Sequence, residues 1–309
     1  MPVFQFLKTL LRLVVMWFVI VTLSFFLFVA ANPNLAISSL HANRIAVSAK
    51  AIASEKVRLG LDKPLFSQYV TWLARLCHGD LGTSYVQKES VTKLIAEVLP
   101  NTLLLTILTL ILIAVIVWLY AKVFLSLKDH WLERTLRFGL LTFSSLPSFW
   151  LGLILLTLFA ARLGWFPIAS LEVTPSSLIL PLLTMTAMYL GTYIRLIRRE
   201  LLSNQEKDYM LYYRYSGMSR RYQKARLLRN SLTSTLSSLS ISFPKLLAGS
   251  VIVETLFSFP GMGSLCITAI EDRDFPLIEG YICIMTALFL VLNAICQAYH
   301  QRFNMREKL

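Results

Sequence analysis

Charged side chains are scarce in this chain: 15% of its 309 residues, against 56% hydrophobic, with mean hydropathy +0.63. Soluble domains carry about a quarter charged residues, so a water-soluble globule is excluded and an integral membrane protein is indicated. Acids are the rarer sign, 17 Asp and Glu against 30 Lys and Arg, for a net charge of +13. In a soluble protein that excess would point to nucleic acid. Membrane proteins instead gather Lys and Arg at the cytoplasmic ends of their spans, so no nucleic-acid partner is inferred. Cysteine is limited to Cys77, Cys266, Cys283 and Cys296, with no CxxC pair. His41, His78, His130 and His300 are scattered without HExxH or related spacing. No metal site is read from these residues. Cys283 and Cys296 lie in an apolar run and read as core, whereas Cys77 and Cys266 fall outside the runs and leave a disulfide open. There is no Gly-rich phosphate loop and no nucleophile–base arrangement. The expectation is a chain that is not an enzyme, with no catalytic residue and no cofactor of its own.

What the chain has is apolar length. Six runs reach the roughly 20 residues that a bilayer crossing needs: 9–31, 101–126, 138–161, 177–196, 234–258 and 278–299. The first follows Lys8 and Arg12 and ends in Val29-Ala30-Ala31, which has the features of a signal peptide. Its length and the runs behind it favour an uncleaved helix. Residues 32–100 are too many for a turn; 64–73 pattern as helix and 79–85 as turn. The reading is an all-α membrane protein in three parts: 1–31, terminus and first span; 32–100, a small extracytoplasmic domain; 101–309, a core with five spans.

Orientation follows from Lys and Arg. Lys128, Arg134 and Arg137 lie between runs two and three, and ten Lys and Arg from Arg195 to Arg229 follow run four. Arg302, Arg306 and Lys308 close the chain, and the opposite short loops offer Arg162 and Arg273. Basic residues in the long 32–100 segment weigh little under this rule. Both termini and the 197–230 loop are therefore expected in the cytosol.

That loop is the most informative stretch. Ser203-Asn204-Gln205-Glu206 fits a capping box, opening a short helix to Ser216 that carries Tyr209, Tyr212, Tyr213 and Tyr215. Gly217 is expected to end it in the left-handed conformation, and Ser219 to start a second helix. One reading is an interfacial loop against membrane lipid. The other is a helix that docks in a groove of a cytosolic partner, with Arg214 and Arg229 holding the turn or meeting partner carboxylates.

Motifs separate the two. Tyr209-x4-Arg214-x2-Gly217, followed by Leu228-Arg229-Asn230, is similar to the EAA loop of bacterial ABC importer permeases. Leu59-Gly60-Leu61-Asp62-Lys63-Pro64-Leu65, Gly79-Asp80-Leu81-Gly82-Thr83-Ser84, Leu99-Pro100-Asn101-Thr102-Leu103, Leu146-Pro147-Ser148-Phe149-Trp150 and Ile179-Leu180-Pro181 follow the family order. Val253-Glu254-Thr255-Leu256-Phe257-Ser258-Phe259-Pro260-Gly261-Met262-Gly263 and Asp272-Arg273-Asp274-Phe275-Pro276 complete it. Nearly end to end, the chain resembles the first permease subunit of the dipeptide/oligopeptide/nickel family. Tyr213 and Tyr215 depart from it, since the family usually has alanine on both sides of the arginine, and the proline that often follows Leu-Arg-Asn is missing.

The resemblance implies a type I permease of the bacterial inner membrane. Its partners would be a second homologous permease, two cytosolic ATPases that hold ATP and Mg, and an extracytoplasmic binding protein. It makes the helix around Tyr209–Tyr215, with Ser216, Gly217, Arg229 and Asn230, the element that couples to the ATPases. Phe259, Pro260, Gly261, Gly263, Asp272 and Asp274 would receive the binding protein. The nearby acids Glu271, Asp272 and Asp274 read as an acidic patch that draws a cationic substrate or pairs with basic residues of the docked binding protein, or else as a solvated loop tip. Met185, Met188 and Thr192 in run four line the pathway or, more simply, pack the bundle. Substrate leans to nickel or a metal–chelator complex, with di- or oligopeptides as the alternative. An ion-coupled secondary transporter is more remote, because Glu254 is the one acid deep in a run, and such acids usually mark ion coupling.

Overall fold

The computed structural model describes residues 3–31, 34–42, 45–128, 130–169 and 172–307. The helices run α1 (Val3–Ala31), α2 (Leu35–Ala42), α3 (Ala49–Leu59), α4 (Leu65–Cys77), α5 (Val91–Leu127), α6 (Trp131–Phe143) and α7 (Ser148–Leu155). A π-helix to Arg162 extends α7. There follow α8 (Pro175–Gln205), α9 (Asp208–Tyr215), α10 (Arg220–Ile241), α11 (Phe243–Leu256), α12 (Met262–Glu271) and α13 (Phe275–Glu307). Extended pairing among the described residues is one bridge, Thr83 with Ser90.

Four stretches are long and apolar enough to cross a membrane: Lys8–Ala30, Val91–Leu127, Pro175–Gln205 and Phe275–Ala298. The other two expected spans are broken. Helices α6 and α7 with its π extension meet at 99°, and α10 and α11 at 58°, so the number of spans is four, or six if each bent pair crosses once. Both breaks have a local cause. Proline disfavours helix in the residue before it, and Pro147 precedes α7 in extended conformation (ψ 134°). Pro244 occupies the first turn of α11, where a missing N–H costs least. Helix α5 begins at Val91, ahead of the expected 101, and passes through Pro100.

The chain divides into two compact units. The first holds Met1–Pro100 and Gly261–Leu292. Its core gathers Val91, Leu94 and Ile95 with Met262, Ala269, Phe275, Leu277 and Ile278. Trp17 Nε1 donates to the carbonyl of Cys283 at 3.0 Å, and Thr22 and Tyr69 share a 2.8 Å hydrogen bond. Phe25 packs its ring 5.4 Å from Tyr69 and 5.0 Å from Trp72. Helix α3 is capped by Ser48 and ends at Gly60 with φ +70°. Buried Glu55 accepts from Arg58 and from Ser39 Oγ. The Arg58 guanidinium holds that carboxyl below its ordinary value against the cost of burial. All four cysteines are free, Cys77 exposed and the others buried.

The second unit holds Asn101–Pro260 and Asn293–Leu309. Its largest cluster joins α5 (Ile113, Val117, Tyr120, Phe124), α8 (Tyr193, Ile194, Ile197, Leu201) and α10 (Leu227, Leu239). Small residues bring backbones together: a Cβ on Gly191 would lie 2.6 Å from Ser144 Cβ, and the Gly191 N–H donates to Ser144 Oγ at 2.7 Å. Here the end of α6 rests on α8. Nearby, the buried carboxylate of Glu133 accepts from Tyr120 at 2.7 Å and faces Arg137 at 3.6 Å and Arg198 at 3.9 Å.

Candidate functional site

The α8–α9–α10 segment of the second unit carries the residues expected to couple to the ATPases. Helix α8 runs on to Gln205, so Ser203 lies inside it and the expected capping box does not form. Tertiary packing overrides the local signal: Leu201 is buried, and Asn204 Nδ2 donates to Ser231 Oγ at 3.0 Å inside the unit. The break comes instead at Glu206–Lys207, and α9 starts at Asp208 with no side-chain cap. Asp208 in its first turn and Arg214 in its last complement the helix dipole. Gly217 has φ +68° as expected, and Ser219 Oγ accepts from the Tyr222 N–H to start α10.

The four tyrosines of α9 divide by face. Met210 is 3% exposed within the α5–α8–α10 cluster, and Tyr209 and Tyr213 pack against that cluster beside it. Tyr213 also meets Tyr209 and Tyr222 edge-on, with centroids 5.8 and 5.6 Å apart. Tyr212 and Tyr215 point outward, 63% and 88% exposed. Arg214, Ser216, Gly217 and Arg229 are exposed, and Asn230 is half-buried. Among the described residues, Arg214 and Arg229 make no ion pair, so the turn is held by backbone and glycine rather than by these cations. Met210, the anchor of α9, escapes sequence reasoning because one methionine among tyrosines leaves no apolar period.

The candidate docking residues divide across the two units. In the second, Phe259 is buried, Pro260 half-buried, and the Pro260 carbonyl accepts from Asn101 Nδ2 at 2.7 Å. In the first, Gly261 and Gly263 are buried and Asp272 is exposed. Asp274 is 1% exposed: its carboxylate accepts from the Ser84 hydroxyl, from the Tyr85 N–H at 3.0 Å and from the Val86 N–H at 3.4 Å. It fastens the 83–90 turn to the start of α13 and is no part of an acidic surface. Of the six residues expected to receive a binding protein, Asp272 and Pro260 present surface and the other four serve packing. Exposed Glu271 adjoins Asp272.

On α8, Met185 is fully buried and its sulfur accepts from Thr109 Oγ1 at 3.9 Å. That is packing between α5 and α8, the simpler of the two readings. Met188 is half-buried and Thr192 exposed, one turn apart.

Residues 121–308 match the family described as the inner membrane component of binding-protein-dependent transport systems, and residues 3–106 match the N-terminal part of such membrane components. The chain belongs to this family. The permease is 31% identical over 299 residues to the metal-staphylopine import system permease protein CntB of Staphylococcus aureus, covering 96% of each chain. It is 31% identical over 288 residues to the nickel import system permease protein NikB of the same species, covering 93% of this chain and 86% of the relative. A putative peptide transport system permease protein of Brucella abortus is 33% identical over 256 residues, 80% of this chain and 82% of the relative. The permease is thus an all-α, multi-pass inner-membrane component of a binding-protein-dependent importer. Its role is transport.

Proposed function

We propose that this permease imports a metal–chelator complex, pairs with a second homologous permease, and takes its motion from two cytosolic ATPases through α9. The observation that carries the coupling role is the seating of α9. Met210, Tyr209 and Tyr213 share one apolar cluster with α5, α8 and α10. Interiors are close-packed and transmit displacement, so a push on α9 moves three long helices as a body. Tyr212, Tyr215 and Arg214 form the outward face that meets the ATPase, where ATP and Mg are held. Tyrosine and arginine are the residue types that anchor interfaces. With both termini and α9 in the cytosol, ATPase closure pushes from that side and the pathway opens to the other, as in alternating access. The exposed Glu271–Asp272 tip and residues 32–100 then face the binding protein.

The metal–chelator substrate is supported by the relative that matches over 96% of both chains and is named for metal-staphylopine import. A peptide substrate is the second reading, favoured by the 33% identity to the Brucella protein. Uptake decides: cells carrying the whole importer are given radioactive nickel, alone and with histidine or an opine-type chelator, and in parallel a labelled dipeptide. Chelator-dependent nickel uptake that vanishes without this chain is the expected result. Chain-dependent dipeptide uptake with no nickel uptake under any chelator sinks the metal reading.

A further inference from the structure

The first unit carries an open cleft with a cavity volume of about 510 Å³ that has no part in the coupling reading and does not rest on it. Ligand pockets run from about 300 to 1,000 Å³, so the volume suffices for a headgroup with part of a chain. The lining has two characters. Phe25, Phe28 and Val29, from the end of α1, and Phe275, from the start of α13, give it an apolar wall. Both belong to membrane-length helices. Opposite in chemistry are Arg58, Lys63, Arg75 and Lys88, from the polar α3–α4 region and the following turn. Trp72 and Tyr85 complete the lining, side chains that favour the membrane interface.

Charge decides the ligand's sign. The cations outnumber the lining carboxylates, Asp80 and Glu279. Asp80 is already engaged, its Oδ1 accepting the Gly82 N–H at 2.8 Å. Arg58 is paired with Glu55 at 2.6 Å. Among the described residues, Lys63, Arg75 and Lys88 have no carboxylate in ion-pairing reach. Three unpaired cations beside an aromatic and aliphatic wall, at the level where two spans give way to polar chain, match one chemistry: an anionic phosphate that carries an acyl chain. We propose that this cavity is a binding site for an anionic phospholipid, with the phosphate against Lys63, Arg75 and Lys88 and the chain along Phe25, Phe28 and Val29.

Trp72 lines the cavity and reports its occupancy. The complete importer is placed in nanodiscs whose phospholipids carry bromine on the acyl chain, and the Trp72 signal is taken as wild type minus Trp72→Phe. Brominated phosphatidylglycerol is expected to quench that signal more than brominated phosphatidylcholine at equal mole fraction. Each cation near an anionic lipid surface contributes appreciably, so Lys63→Gln/Arg75→Gln/Lys88→Gln is expected to lower the phosphatidylglycerol response to the phosphatidylcholine level. Equal quenching by the two lipids, or an unchanged response in the triple variant, overturns the proposal. So does a Trp72 response to millimolar inorganic phosphate that competes with the lipid, which assigns the site to a soluble anion. If the triple variant fails to assemble, the comparison of the two lipids in the wild type still decides.

Discussion

At the scale of single residues, Tyr213 and Tyr215 stand on either side of Arg214 but do different work. Tyr213 packs inward with Tyr209 and Tyr222, whereas Tyr215 is 88% exposed. Tyr215→Ala is therefore expected to leave the permease's melting temperature unchanged while lowering transport-coupled ATP hydrolysis, since exposed sites usually shift stability by no more than about 0.5 kcal/mol. Tyr213→Ala is expected to lower the melting temperature, by about 2 kcal/mol of stability for a half-buried ring. Thermal melts and ATPase assays on the assembled complex check both, and a destabilised Tyr215→Ala would contradict the outward face. Asp274 gives a second case. Removing its carboxylate orphans a hydroxyl and two N–H groups, so Asp274→Ala is expected to cost about 3 kcal/mol. The loss should show as faster hydrogen exchange at Tyr85 and Val86. Sequence alone reads Asp274 as one of an acidic cluster with Glu271 and Asp272. Its partners lie nearly two hundred residues away in the chain, and nothing local announces them.

At the scale of elements, glycine and serine signals are legible and cap signals inside a long helix are not. Gly217 and Ser219 act where the chain must turn, and local geometry settles their conformations. Ser203 sits where α8 is held by Leu201 and Asn204, and packing carries the helix past it. Apolar length likewise announces the spans, yet it averages over windows too wide to register the turns before α7 and α11. Pro147 and Pro244 were the available signs of those bends. The α9–α10 turn gives a graded test. Gly217→Ala retains the N–H but bears a Cβ at positive φ, a cost of about 1–2 kcal/mol. Gly217→Pro fixes φ at the opposite sign and removes the N–H that bonds the Arg214 carbonyl at 3.3 Å. Membrane insertion is expected to survive in both. Substrate uptake per ATP hydrolysed should fall modestly in the first and nearly vanish in the second. Equal coupling in Gly217→Pro and wild type would remove α9 from the coupling path.

At the scale of the whole molecule, the proposed mechanism depends on sidedness: α9 must face the ATPases while residues 32–100 face the binding protein. The cysteines provide a direct test, because Cys77 is exposed at the end of α4 and Cys266, Cys283 and Cys296 are buried. In intact cells lacking the binding protein, so that nothing covers the region, a membrane-impermeant maleimide is expected to label Cys77. Cys77→Ser should abolish that labelling and leave insertion intact. In the Cys77→Ser background, Tyr215→Cys places a thiol at the exposed end of α9. It should react with the same reagent only after the membrane is permeabilised, and less so once the ATPases are bound. The distribution of Lys and Arg around the spans predicts this orientation, and the outward Tyr215 gives it a mechanical meaning in the proposed mechanism. Labelling of Tyr215→Cys from outside intact cells would place α9 on the wrong side for ATP-driven motion, and the coupling mechanism would fall with it.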